Sequence, residues 1–305
     1  MQKRNSLFSP LVLLVLLGFI WGTGYSIARF AMTNGVNPLG YSFWQSIGPA
    51  LLLGLITAGT ERTNIPSLHS AWRFYLICAL TGIVIPNTNM YFAASHLPAG
   101  LLAVIVNTVP LIAYPFALIS RIENFNWLRL AAVCVGASGL MLILLPQASV
   151  SAAMLPWLML AMLTPFSFAF CAIYISRYQP DDCGSLASGA GTLIFSSILL
   201  TPLVIGSGNF YAPHWPLVLA DKVILLEIIL SSIGYILFFK LLKTAGPVYY
   251  SFVDSIVALT GLFWGYIIFG EHLNTVTWAG VALILLALVM VNKRVSSVLE
   301  YPSTA

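Results

Sequence analysis

Charge is scarce in this sequence. Asp and Glu number 9 and Lys and Arg 13 among 305 residues, 7% in all, against a hydrophobic fraction of 59%. That leaves too little polar surface to cover a water-soluble globule, so the expected solvent is the bilayer. Cysteine is scarce as well: Cys78, Cys134 and Cys171 lie inside apolar runs and Cys183 stands alone in a connection. They form no disulfide framework and read as small packing residues. Histidine is missing from the apolar runs altogether, since His69, His96, His214 and His272 sit between them. Without a base at depth, the "GASG" at Gly136 to Gly139 has nothing to activate its serine and reads as small-residue helix packing. An intramembrane aspartyl protease needs two carboxylates sharing a proton, and Asp254 is the one aspartate inside a run. Walker loop, dinucleotide fingerprint and metal-spaced His/Cys/Glu clusters are also absent. No enzyme, cofactor or metal site is therefore expected, and any transport must draw on an ion or substrate gradient. The net charge of +4 speaks for membrane topology rather than for a nucleic-acid partner.

What is present is a series of apolar runs of about 20 residues, each long enough to cross ~30 Å of hydrocarbon. Ten are read, over 10–30, 39–58, 73–94, 100–119, 127–145, 153–175, 186–206, 223–242, 248–269 and 276–292. The seventh, interrupted by Gly189, Gly191 and Pro202, is the weakest. A cleaved signal peptide is the alternative for the first, although its apolar stretch outruns a typical h-region. With the N-terminus in the cytoplasm, eleven Lys and Arg fall on the cytoplasmic side and only Arg29 and Lys222 outside. This positive-inside bias predicts an even number of spans and both termini in the cytoplasm.

Ten spans divide into two fives, and an odd number per half forces two like halves into opposite orientations, an inverted repeat. A shift of 148 residues superposes Glu123 on Glu271, Asn126 on Asn274, Ala131 on Ala279 and Arg29 on Arg177. The expected organisation is a first five-helix half over 1–147, a second, inverted half over 148–296, and a short cytoplasmic tail over 297–305.

Ionisable residues at membrane depth are expensive unless they face a partner or water, so Glu227 and Asp254 are functional candidates. Asp254 shares a helical face with Tyr250, Val257, Gly261 and Gly265. It reads either as a proton or cation site or as an aspartate held by neighbouring hydroxyls. Glu227, whose face continues through Ser231, Gly234 and Tyr235, reads either as a partner of Arg29 or as a carboxylate reaching interfacial water. Arg29 itself shares a stripe with Trp21 and Tyr25, and Trp21 lies too deep for an interfacial belt. "IPNTN" in span three combines a helix-breaking Pro86 with Asn87 and Asn89; Asn87, with Tyr91 one turn on, is the one expected to face a central cavity. Span four repeats the theme with Asn107, Pro110 and Tyr114. For each asparagine, interhelical hydrogen bonding is the competing role.

"WGTGYSIARF" in span one, "YFAASHLPAGLLAVIVNTVPL" across spans three and four, and "GYIIFGEHLNTVTWAG" before span ten resemble the EamA-type permeases of the drug/metabolite transporter superfamily. The resemblance covers nearly the whole chain. It implies an all-α integral membrane fold, ten transmembrane helices as two inverted five-helix repeats around a central cavity, and alternating-access export of small metabolites from a bacterial inner membrane. Trp21 and Gly22 match the family's "WG", Pro110 its fourth-span proline, and Gly270 with Glu271 its "GE". Ala258 stands where the family often keeps a proline, Ile122-Glu123 replaces the first-half "GE", and Gln45 replaces a basic residue common early in span two.

The reading is a secondary active transporter with a small-molecule substrate, amino acid-like or amphipathic and cationic, possible proton coupling, and a monomeric or homodimeric state in the lipid bilayer. Trp21, Tyr25, Asn87, Tyr91, Asn107, Tyr114, Tyr250 and Asp254 are expected at the substrate site, with Asp254 and Glu227 as candidates for ion or proton coupling. A non-transporting membrane scaffold or receptor and a lipid flippase are the alternatives.

Overall fold

The structure, a computed structural model, describes residues 10–60, 71–121, 124–150, 153–180, 185–250 and 253–298, without the side chains of 58, 60, 144–150, 176, 185, 239, 242–250 and 291–298. Among the described residues all regular structure is helical. The helices are α1 (Pro10–Thr33), α2 (Pro38–Thr60), α3 (Trp72–Ala79), α4 (Ile85–Ala94), α5 (Ala99–Val106), α6 (Val109–Ile119), α7 (Trp127–Val150), α8 (Leu155–Tyr178), α9 (Ser185–Gly206), α10 (Leu219–Tyr250), α11 (Val253–Phe269) and α12 (Thr275–Val298). A π-helical turn, Leu80–Val84, joins α3 to α4. Taking α3 with α4 and α5 with α6, these make ten helical runs in the order the hydropathy predicts. Among the described residues, six helical runs are long and apolar enough to cross a membrane.

Two breaks follow from prolines. Pro86 lacks the N–H that a π-pattern would have donated to Thr81 O, five residues back. Ser167 Oγ of α8 donates to that carbonyl instead at 2.7 Å, and Thr164 Oγ1 donates to Pro86 O at 3.0 Å. A neighbouring helix thus satisfies backbone groups that lipid cannot. Pro110 likewise cannot donate to Val106 O, and α5 ends there; Asn107 and Thr108 bridge to α6, with Asn107 Nδ2 donating to Ala103 O at 2.7 Å.

In the ninth run α11 is described from Val253, with Asp254 in its first described turn.

The bundle is held by pairs of helices: α7 with α12, α2 with α9, α1 with both α10 and α11, α5 with α11, and α8 with both α4 and α6. The buried apolar core runs through α1, α4, α5 and α11, with Leu17, Ala31, Leu101, Leu102 and Ala258 among its fully enclosed members. With lipid tails as apolar as leucine, helices associate in membranes through close packing of small residues. "GASG" takes that role, because Gly139 of α7 lies against the backbone carbonyl of Gly280 in α12.

Candidate functional site

At the end of the bundle predicted to be external, α11 stops at Phe269 and Gly270 turns the chain back with φ +60°, a left-handed conformation natural to glycine. The turn carries Glu271 over the N-terminus of α5. Its carboxylate accepts hydrogen bonds from Ala99 N (2.6 Å) and Gly100 N (3.0 Å) and forms an ion pair with Arg29 of α1. The Arg29 guanidinium also lies 4.7 Å from the centre of the Phe269 ring. Arg29 therefore pairs with Glu271 and not with Glu227, the partner the sequence suggested. One carboxylate joins the ends of α1, α5 and α11.

Deeper in the bundle, Glu227 of α10 is buried. Its Oε1 accepts a hydrogen bond from Ser231 Oγ, one turn along, at 2.8 Å. Its Oε2 is enclosed and meets no hydrogen-bond partner among the described residues, and the same holds for Tyr41 Oη of α2. Tyr41, Tyr91 and Tyr235 stand within electrostatic reach of the carboxylate. Tyr41 and Tyr91 meet edge to face, with ring centres 4.7 Å apart. Gly24 of α1 faces Glu227 so closely that a Cβ there would lie 3.5 Å from Oε1, an ordinary contact. Trp21, one turn below on α1, lies against Gly234 and packs on Tyr235 and Phe238. A side chain at Gly234 would occupy the space of that indole.

A second polar group lies beside the first. Asn107 Nδ2 donates to Tyr25 Oη at 3.3 Å, and both residues are buried. Tyr25 is within electrostatic reach of both Asp254 and Tyr91, which links the two groups. Among the described residues Asp254 has no hydrogen-bond or ion-pair partner, and it is only partly buried. Of the expected site residues, the structure thus brings together Trp21, Tyr25, Tyr91, Asn107, Glu227 and Asp254, from α1, α4, α10 and α11 and the break after α5. Asn87 is next to this set, buried, and donates to Gln45 Oε1 of α2 at 3.1 Å. Tyr114 is elsewhere: its hydroxyl accepts from Asn126 N at 2.7 Å and donates to Asn126 O, bracing the turn into α7. The Tyr250 side chain lies outside the described residues. Tyr41 was missed by sequence reasoning, because one tyrosine near the start of a span looks like an interfacial anchor.

Outside the predicted spans, Asp221 caps the start of α10. Burial opposes its charge, but hydrogen bonds donated by Tyr211 Oη (2.6 Å), Val218 N (2.9 Å) and His214 N (3.2 Å) outweigh that and hold its carboxyl below the usual range. Its burial and its bond to Asp221 push the Tyr211 phenol up to about 12. The stabilisation from Asp221 is present above the ordinary carboxylate pKa and is lost as pH falls through the lowered one. Trp44 Nε1 donates to Tyr211 O at 2.8 Å, so this cap also fastens the connection before α10 to α2.

Comparison with known proteins places these features. The EamA-like transporter family profile matches residues 8–145 and again 155–293. Protein PecM of Dickeya dadantii is 24% identical over 90% of this chain and 89% of its own length. The uncharacterized inner membrane transporter YedA of Escherichia coli K12 is 26% identical over 90% of this chain and 88% of its own. An S-adenosylmethionine/S-adenosylhomocysteine transporter of Chlamydia trachomatis is 20% identical over 88% of this chain and 86% of its own. A solved crystal structure, 16% identical, matches 94% of this chain and 99% of its own with a TM-score of 0.62, which speaks for the fold. With both halves of its helical bundle matched, this multi-pass membrane protein belongs to the EamA-like transporter family.

Proposed function

We propose that the protein is a secondary active exporter that moves a small metabolite across a bacterial inner membrane by alternating access between two inverted halves, 1–147 and 148–296. The observation that carries the reading is the convergence of polar side chains from both halves: Tyr25, Tyr91 and Asn107 from the first, Glu227 and Asp254 from the second. Ionisable groups at membrane depth gather where a substrate or ion passes.

The inverted repeat is supported by the spacing of the helices. The starts of α7 and α12, Trp127 and Thr275, lie 148 residues apart, and the ends of α1 and α8, Thr33 and Tyr178, lie 145 apart. The packing pairs also exchange: α1 lies on α10 and α11 as α8 lies on α4 and α6. Two separate matches to one family profile agree with a duplicated unit. The inner membrane and a metabolite-sized substrate are supported by what the relatives are named for. In this reading Trp21, Tyr25, Asn87, Tyr91 and Asn107 line the substrate path, and Asp254 is the coupling carboxylate, with Tyr25 the titratable side chain facing it.

The test is reconstitution. Compounds that raise the melting temperature of the purified protein, drawn from amino acids, nucleosides and polyamines, are assayed for counterflow in proteoliposomes. At least one stabilising compound is expected to exchange across the membrane, and Asp254→Asn is expected to flatten the dependence of its rate on pH. An unchanged rate and pH profile in Asp254→Asn removes the coupling role. Stabilising compounds that never cross remove transport itself.

A further inference from the structure

Among the described residues no basic side chain pairs with the buried carboxylate of Glu227. Among the described residues Arg29, the one basic side chain on the facing stretch of α1, is engaged by Glu271, and no ion pair reaches Glu227. One oxygen is held by Ser231 while the other is enclosed with no hydrogen-bond partner. An enclosed carboxylate oxygen without a donor is costly, and proteins rarely leave such an atom without a use.

The surroundings are aromatic. Tyr41, Tyr91 and Tyr235 are within the field of the carboxylate, and Trp21 packs edge-on against Tyr235 with ring centres 6.3 Å apart. Ring faces attract alkylated cations, most strongly where water is excluded. Approach comes from α1: its Gly24 puts no side chain between the carboxylate and the helix, and Trp21, Gly24 and Tyr235 are only half-buried.

We propose that Glu227, with Trp21, Tyr41, Tyr91 and Tyr235, forms the binding site for an organic cation bearing an alkylated ammonium-type centre. The proposal rests on the transporter reading and narrows its substrate class. The carboxylate supplies the counter-charge, the rings hold the alkyl groups, and the orphan hydroxyl of Tyr41 is available to a polar arm of the ligand. An anion would meet the field of Glu227 with no compensating base, and a neutral compound would leave the enclosed oxygen as it is.

Tetramethylammonium, choline and tetraphenylphosphonium serve as probes, with 3,3-dimethylbutan-1-ol as the uncharged isostere of choline. Binding is followed by tryptophan fluorescence and by the melting temperature of the full-length protein in detergent. At least one cation is expected to shift both signals, while the isostere shifts neither. Glu227→Gln is expected to weaken that binding at least tenfold. Tyr235→Leu, which keeps the carboxylate, is expected to weaken it by about tenfold, the loss of one desolvated ring contact. If no cation binds the wild type, or if Glu227→Gln binds as the wild type does, the proposal is overturned. A neutral or anionic compound that is transported independently of Glu227 overturns the cation class while leaving the transporter reading intact. Compounds that bind but never cross overturn the transporter reading instead.

Discussion

Glu271→Ala is expected to lower the melting temperature of the purified protein by roughly 4–6 °C. Glu271 keeps only 8% of its side chain exposed and satisfies two backbone donors at the start of α5 as well as the guanidinium of Arg29. Removing one partner of a buried pair costs about 3–5 kcal/mol, because the other charge is left uncompensated. Arg29 retains 24% exposure, so water recovers part of that loss and about 3 kcal/mol is the better figure. For a chain of this size each kcal/mol moves the transition by roughly 1.5–2 °C. Glu271→Gln retains an amide oxygen for one backbone N–H and is expected to fall about half as far. Differential scanning fluorimetry in detergent reads both; a change below about 2 °C for Glu271→Ala would mean that the joint between α1, α5 and α11 holds nothing. Transport is expected to suffer as well, since the three helices joined here also carry Tyr25, Asp254 and, just past α5, Asn107.

The second large effect is expected at the crossing of α7 and α12. A Cβ on Gly139 would lie 2.6 Å from Gly280 O, and a Cβ on Gly280 would lie 2.6 Å from Gly139 O. The obstruction on each side is backbone, so no rotamer change relieves it and the helices must separate. Overpacking of this kind costs about 1–3 kcal/mol for small additions, and Gly139→Leu is expected to reach the top of that range. The contrast is Gly54→Ala in α2, where nothing lies within 4 Å of the added carbon. There the better helix propensity of alanine should stabilise by up to about 1 kcal/mol. Equal melting temperatures for the two variants would contradict the assignment of this crossing as a packed interface.

Much of this architecture is legible in the sequence because lipid leaves so few options: hydropathy marks the spans, and Pro86 and Pro110 mark where spans three and four break. The depth of Trp21, Tyr25, Asn107 and Glu227 follows from counting residues along those spans. Partners are harder to read. Arg29 and Glu271 are separated by 242 positions, and nothing local to either says that Gly270 will turn the carboxylate onto α5. Glu227 looked like the choice because it lies on the external side of the midplane and Arg29 is the one basic residue predicted near the external boundary. By helical spacing Tyr114 would share a face with Asn107 and Pro110, but the span breaks after α5, so that spacing does not carry across it, and the hydroxyl meets Asn126.

The central claim is that one site, between the halves, opens to each side of the membrane in turn. Gly24→Cys tests it most directly, in a chain whose Cys78, Cys134, Cys171 and Cys183 are replaced by alanine. The Cβ introduced at position 24 lies in ordinary contact with Glu227, and the thiol needs no known substrate for its detection. Right-side-out and inverted vesicles are treated with a membrane-impermeant, cationic methanethiosulfonate, with Asn34→Cys and Phe125→Cys reporting the two surfaces. Alternating access predicts that the Gly24→Cys thiol is modified in both kinds of vesicle while each surface thiol reacts in only one. Modification of the Gly24→Cys variant from a single face, or from neither, would contradict it.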